Sequence, residues 1–323
     1  MCQPLAAQEG SPLGTVHDPS LAPARRADNL LLGAFDPGFA EFAVGVDEWT
    51  IPYRYMAVAS LPGEDLAIEL ADGGNHAYRL RYAAGSALAH GVAGWTWTAP
   101  QDPGAYAVRV EREGEGFIHL NVLVMHPRSE IVNGSLNGYA IGSYRSRPFR
   151  GLPRYLPPEG FVEVWAADED ILASPHFTVG QFLCKQTGTP RYTVHSPYMV
   201  LKLEAALQAV NEAGHATHSF FIMSGFRTPA YHRAIGNRTS YSRHLWGDGA
   251  DIYIDNDGDG IIDDLNGDGR SDIEDARLLA SILGRMEDRG AAGVIPGGLA
   301  VYRANPAHGP FVHLDSRGYR ARW

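Results

Sequence analysis

Residues 242–275 read SRHLWGDGADIYIDNDGDGIIDDLNGDGRSDIED, and two kinds of chemistry-bearing pattern share the run. The first is His244 and Asp251 in HLWGDGAD, a HxxGxxxD spacing, taken together with His313 in FVHLD far along the chain. Two imidazoles and one carboxylate suit zinc and leave the fourth tetrahedral position for water, which is the arrangement of a catalytic site. The second pattern is a series of nine acids from Asp255 to Asp275, broken by the single base Arg270. Oxygen donors without His or Cys select a hard cation, so this part of the run suits calcium.

For the first pattern to work, three distant side chains must be aimed at one point. Gly247 and Gly249 allow a tight turn after His244, and ADIYI reads as a strand on which Ala250, Ile252 and Ile254 face the core while Asp251 faces the other way. His313 opposes Val312 and Leu314 on its own strand in the same sense. Two such strands side by side present His, Asp and His together. Around them, SPYMVLKLEAALQAVNEAG predicts a core helix with Ser196 as N-cap, Pro197 at the first helical position, Val200, Leu203, Leu207 and Val210 on one face, and Gly214 as the stop. HSFFIMSG predicts a buried strand, TPAYHRAIG a short helix, LAVYR a further strand and IEDARLLASILGRMEDRG a second long helix.

The acidic series divides in two. Asp264, Asn266, Asp268, Arg270 through its carbonyl, Asp272 and Asp275 fall at the ligand positions of an EF-hand-like loop, with Gly269 at the sharp turn and a helix leading away. An earlier series, Asp255, Asp257, Asp259, Ile261 through its carbonyl and Asp263, overlaps it and reaches its last position at Asn266, which the second loop already uses. One or two calcium ions follow from this. The segment alone carries −8 and repels itself unless neutralised. A solvated acidic loop is the competing reading. The second loop also resembles a dockerin repeat, but its place between Asp251 and His313 argues for a clamp that supports the zinc site.

With 323 residues, 45% of them hydrophobic and 20% charged, the chain is long enough for two globular domains. Outside the acidic segment the net charge is only about −2 of the total −10, so the acidity is local, and a nucleic-acid partner is not expected. Residues 1–34 read as a flexible leader. Residues 35–127 carry short β-type runs such as YMAVAS, YRLRY and WTWTAP and predict a small all-β immunoglobulin-like antiparallel sandwich, with no catalytic pattern in it. A Pro/Gly/Arg-rich connector, 128–173, reads as irregular structure. Residues 174–323 then form an α+β domain with an antiparallel sheet, the acidic insertion at 255–275 included. Two cysteines, Cys2 and Cys184, make no disulfide framework. Cys184 reads as a small buried apolar residue, whereas Cys2 suits the lipid-bearing first residue of a mature bacterial lipoprotein. No run of about 18 apolar residues is present.

Three ordered motifs, SGFRTPAYHRAIG, SRHLWGDGADI and FVHLDSRGYRARW, resemble the zinc D-alanyl-D-alanine carboxypeptidase and dipeptidase family of peptidoglycan metallopeptidases over about residues 174–323. The resemblance implies zinc on His244, Asp251 and His313, with Arg227 of SGFRTP reaching the site to meet a substrate carboxylate or developing oxyanion. It implies an extracytoplasmic enzyme, in the periplasm or cell envelope, that hydrolyses D-amino-acid peptide bonds in peptidoglycan stem peptides, either as carboxypeptidase or as endopeptidase. The pattern departs from the family at the general base. Relatives carry an acid three residues before the last zinc ligand or a His two before it, where this chain has Pro310 and Phe311. His308, across a Gly-Pro turn, is the nearest titratable candidate for the proton transfer. Asp315 is expected to orient an imidazole. A catalytically silent zinc- and calcium-holding wall-binding protein is the alternative, and a calcium-dependent scaffold leaves the three motifs unexplained.

Overall fold

The computed structural model describes residues 13–27, 34–71, 76–290 and 293–323. Cys2 lies outside the described residues. The first half is a pair of five-stranded sheets. One runs, edge to edge, Gly14–His17, Tyr78–Tyr82, Gly104–Arg112, Gly116–Val124, Tyr55–Ser60, and the other Trp49–Tyr53, Phe39–Val46, Asp65–Leu70, Gly94–Thr98, Ser86–Ala89. Alternation sets what is buried: Trp95 and Trp97 from one sheet share a core with Val108, Val110, Leu120 and Val122 from the other. The segment between Thr98 and Gly104 carries the chain across from one sheet to the other.

Three sequence expectations change here. The sandwich is not wholly antiparallel, because Gly14–His17 pairs in parallel with Tyr78–Tyr82 and Tyr55–Ser60 in parallel with Gly116–Val124. The second pairing follows from the bend at Arg54, a single residue between Trp49–Tyr53 in one sheet and Tyr55–Ser60 at the edge of the other. Part of the expected leader is ordered: Gly14–His17 extends the sheet, and Arg25 ion-pairs with Asp168 and Asp170. The expected irregular connector contains a strand, Gly160–Val164, paired with His126–Pro127 and Arg191–Thr193.

The second half is built on a sheet of β1 (Phe221–Ser224), β2 (Gly249–Tyr253), β3 (Gly298–Tyr302), β4 (Phe311–Asp315) and β5 (Ala321–Arg322), in the order β1-β2-β4-β3-β5. All pairings are antiparallel except β3 with β5. Helices α1 (Pro197–Glu212) and α3 (Ile273–Arg289) pack on each other, and α3 packs on β3 and β4, while the short α2 (Pro229–Ala234) follows β1. In α1 the expected stripe Val200, Leu203, Leu207 and Val210 is buried. Ser196 occupies the cap position without a capping side-chain bond. Helix α3 buries Ala276, Leu279, Leu283 and Met286 and starts on a capping box in which Asp272 accepts from the Glu274 N–H and Asp275 from the Asp272 N–H, each at 2.8 Å. Strand β1 is an edge strand rather than a buried one, with Phe221 45% exposed.

The two halves share one hydrophobic core. Main-chain bonding ties them as well: the Ala57 N–H donates to the Ala173 carbonyl at 2.8 Å, and Nε2 of His195, at the foot of α1, bonds the Ala57 carbonyl at 2.9 Å. Buried Asn121 donates to the Leu172 carbonyl at 2.8 Å. The architecture is therefore a mixed α/β chain with several antiparallel sheets and few helices.

Candidate metal centre

Strand register brings the distant side chains together. Asp251 on β2 lies directly opposite His313 on β4, while Ala250, Ile252, Val312 and Leu314 turn into the core. His244 arrives from the 3-10 turn Arg243–Trp246 that precedes β2. Gly247 ends that turn at φ 68°, where a Cβ would meet the Val194 carbonyl at 2.1 Å, so this position requires glycine. Gly249 has a different reason: it lies in β2, where a Cβ would meet the Arg243 Cβ at 3.0 Å.

One ligand atom from each of His244, Asp251 and His313 lies within 4.8 Å of the others, and all three residues are buried. Asp251 Oδ1 is 3.2 Å from His244 Nε2 and 2.9 Å from His313 Nδ1. The remaining atoms of each group are held from behind. His244 Nδ1 is 2.8 Å from the Gly225 carbonyl, which fixes it as the donor and turns Nε2 toward the centre. His313 Nε2 is 3.1 Å from Asp315 Oδ2, and Asp251 Oδ2 accepts from Arg227 Nη2 at 2.7 Å. Arg227 is itself aimed by a 2.7 Å bond from Nε to Ser224 Oγ and by its own N–H, which donates to the His244 carbonyl. A buried N,O,N donor set with oriented imidazoles fits a zinc ion.

Electrostatics separates the two imidazoles. Burial lowers the His244 pKa, and Asp251 only partly opposes it. Burial also works against protonation of His313, but hydrogen bonds to Asp251 and Asp315 outweigh it and raise this pKa to about 9. Burial alone would raise the Asp251 carboxyl, yet His244 and His313 hold it below the usual carboxylate range. Without a metal, then, His313 carries a proton between two carboxylates.

Spacing alone did not reveal several supporting residues. Arg317 donates through Nε to both Asp315 oxygens, at 2.9 and 3.0 Å, and the indole of Trp323 packs 5.5 Å from the His313 ring. The Lys202 ammonium, fully buried on α1, donates to the Asp315 carbonyl at 2.7 Å and pairs with Glu287 of α3. Arg317 lies two residues past the end of β4, beyond the reach of strand alternation. Nothing in the local sequence marks Lys202.

His308 is not brought to the trio. It sits in the turn before β4, its Nδ1 bonded to the Gly309 carbonyl at 2.8 Å and its Nε2 to Asn305 Nδ2 at 2.7 Å, with its ring against Phe311. The Gly-Pro turn does not fold it back, because the Asn305–His308 bridge directs it into its own hairpin.

In the acidic segment Asp255, Asp257 and Asp263 gather one carboxylate oxygen each within 4.8 Å. Asp255 Oδ1 is buried and without a partner, Asp259 accepts from the Ile261 N–H at 2.8 Å, and Asp263 accepts from Asn256. The second loop turns its acids onto its own backbone. Asp264 accepts from the N–H groups of Gly267, Asp268 and Gly269, Asn266 from Asp268, Asp268 from Arg270, and Asp275 from Leu265, Asn266 and Asp272. Carboxylates thus converge in the first series, although the second has the fuller loop spacing.

A buried His/Asp/His cluster on an antiparallel sheet, with an arginine aimed at its carboxylate, defines a metallohydrolase-type centre. The Peptidase M15 family model matches residues 175–263 of the chain, so this region is similar to the M15 peptidases. The matched stretch contains Arg227, His244 and Asp251 and ends before His313. M15 peptidases are zinc-dependent, and the match supports a metallopeptidase. No curated protein and no solved structure matched the chain. Among the described residues no helix is long and apolar enough to cross a membrane.

Proposed function

We propose that the chain is an extracytoplasmic zinc peptidase that cleaves D-amino-acid peptide bonds in peptidoglycan stem peptides, as carboxypeptidase or endopeptidase. The observation that carries this is the meeting of His244, Asp251 and His313, two of them inside the M15 match, with Arg227 beside them. His244 through Nε2, Asp251 through Oδ1 and His313 through Nδ1 would hold the ion. Zinc held there supplies Lewis acidity toward a scissile carbonyl and toward water.

The chain's own residues do the rest. The Gly225 carbonyl and the Asp315 carboxylate fix the two rings, and Arg317 anchors Asp315. Arg227 exchanges its Asp251 partner for the substrate's anionic end or developing oxyanion. Calcium in the acidic segment, nearest Asp255, Asp257 and Asp263, neutralises local charge and steadies the chain that leaves β2. The sandwich holds the domain near the wall.

Muropeptides incubated with the zinc-replete protein and analysed by mass spectrometry are expected to lose a terminal D-amino acid or a cross-link, and a chelator is expected to stop the loss. Unchanged masses with the protein zinc-loaded would instead favour a silent wall-binding protein.

A further inference from the structure

A cavity of about 600 Å³ lies between α2, the 236–240 loop that follows it and residues 143–145. It touches the metal centre's own scaffold: Pro229, two residues after Arg227, and Leu245, next to His244, are in its wall. Three arginines line it, Arg145, Arg233 and Arg238, and no Asp or Glu does. Among the described residues none of the three forms an ion pair, and Arg145 is held by a 3.1 Å bond from Nη2 to Ser240 Oγ. In a chain of net charge −10, three unpaired guanidinium groups around one concavity are a local reversal of sign. Concave walls focus such a field outward toward an approaching anion.

His232, only 3% exposed, lines the wall with Nε2 against the carbonyl and hydroxyl of Thr239, both at 3.1 Å, while its Nδ1 has no partner. Guanidinium forks match carboxylates in bidentate geometry, and the spread of three around one opening suits a ligand with several acids rather than a single small ion.

We propose that this cavity is a binding site for the carboxylates of an acidic peptide, set beside the metal centre so that the acidic part of a stem peptide is gripped away from the bond being cleaved. The proposal rests on the peptidase reading for its place in the reaction, but the binding itself does not depend on turnover. Peptide carboxylates and the phosphates of a wall polymer share the chemistry that arginines recognise, and the number and spread of the arginines favour the peptide.

Calorimetric titration of the full chain with acetylated, amidated triglutamate and triglutamine, and with inorganic phosphate, tests this. Triglutamate is expected to bind at least about tenfold more tightly than triglutamine, and R233Q/R238Q to lose about tenfold or more of that affinity, as loss of charged hydrogen bonds requires. R233K/R238K is expected to retain part of it, and an unchanged melting profile in both variants excludes misfolding as the cause. Equal affinity for the two peptides, no effect of R233Q/R238Q, or tighter binding of phosphate than of triglutamate would overturn the proposal. If triglutamate binds as expected while no muropeptide is cut, the peptidase reading fails and the acid-binding cavity stands. If cutting proceeds and triglutamate does not bind, only the cavity proposal fails.

Discussion

Asp251 and Asp255 are four residues apart, one within β2 and the other just past its end, and their carboxylates are treated in opposite ways. Asp251 is buried among two imidazoles and a guanidinium, each aimed by a further bond. Asp255 and its neighbours in the acidic segment lean on backbone N–H groups, and one Asp255 oxygen has no partner. One run of sequence thus holds its acids in two different ways. Inside the sheet, register fixes the ligand atoms, whereas in the loop backbone N–H groups offset the repulsion among close acids and leave one Asp255 oxygen over.

The sharpest way to break this contrast is to remove a donor from each side. Asp251→Asn or His313→Ala is expected to lower muropeptide hydrolysis by about three decades or more, as loss of several kcal/mol of metal-assisted stabilisation requires. Asp257→Asn is expected to leave the rate near wild type. Comparable losses from the two sides would dissolve the distinction. One step smaller, Asp315→Asn takes away the negative charge behind His313 and should weaken zinc binding by about 10- to 100-fold in competition against a chromophoric chelator.

Proton linkage gives a third test. In the metal-free protein the folded-state pKa of His313 stands at about 9, above its ordinary 6.5, so its contribution to stability is complete below the ordinary value and is lost as pH rises through the folded one. The chelated protein should therefore show a falling denaturation midpoint between about pH 6.5 and 9. His313→Gln should flatten that fall, and a midpoint that climbs over the same window would contradict the pairing with Asp251 and Asp315. The smallest effect is expected in the loop: calcium should raise the wild-type melting temperature by a few degrees, about 1 kcal/mol or somewhat more, and should do less for Asp257→Asn/Asp263→Asn. An equal calcium shift in both proteins would remove the ion from the first series.

Much of the metal centre was legible because alternation along a strand is a strong constraint. Once Asp251 and His313 are placed opposite to their apolar neighbours, pairing of β2 with β4 leaves them nowhere to go but together. The core helix α1 was legible for the same reason, through its 3- and 4-residue spacing. The partners of His308 were not legible, because proximity in sequence across a turn says little about direction, and its Asn305 contacts are local details of one hairpin. The ordered part of the leader and the parallel edge pairings were hidden because edge strands owe their position to partners remote in sequence. For the acidic segment, spacing favoured the second loop while the carboxylates gather in the first, since spacing does not say whether a side chain turns to a shared point or to its own backbone.

The apolar interior that runs unbroken from the Trp95–Trp97 strand to α1 has a practical consequence. A truncation that began near residue 174 would strip α1 of its contact with Tyr55–Ser60 and leave His195 without the Ala57 carbonyl. The remaining fragment would then present a greasy flank to solvent, so the sandwich covers it as a packing partner rather than a detachable cargo.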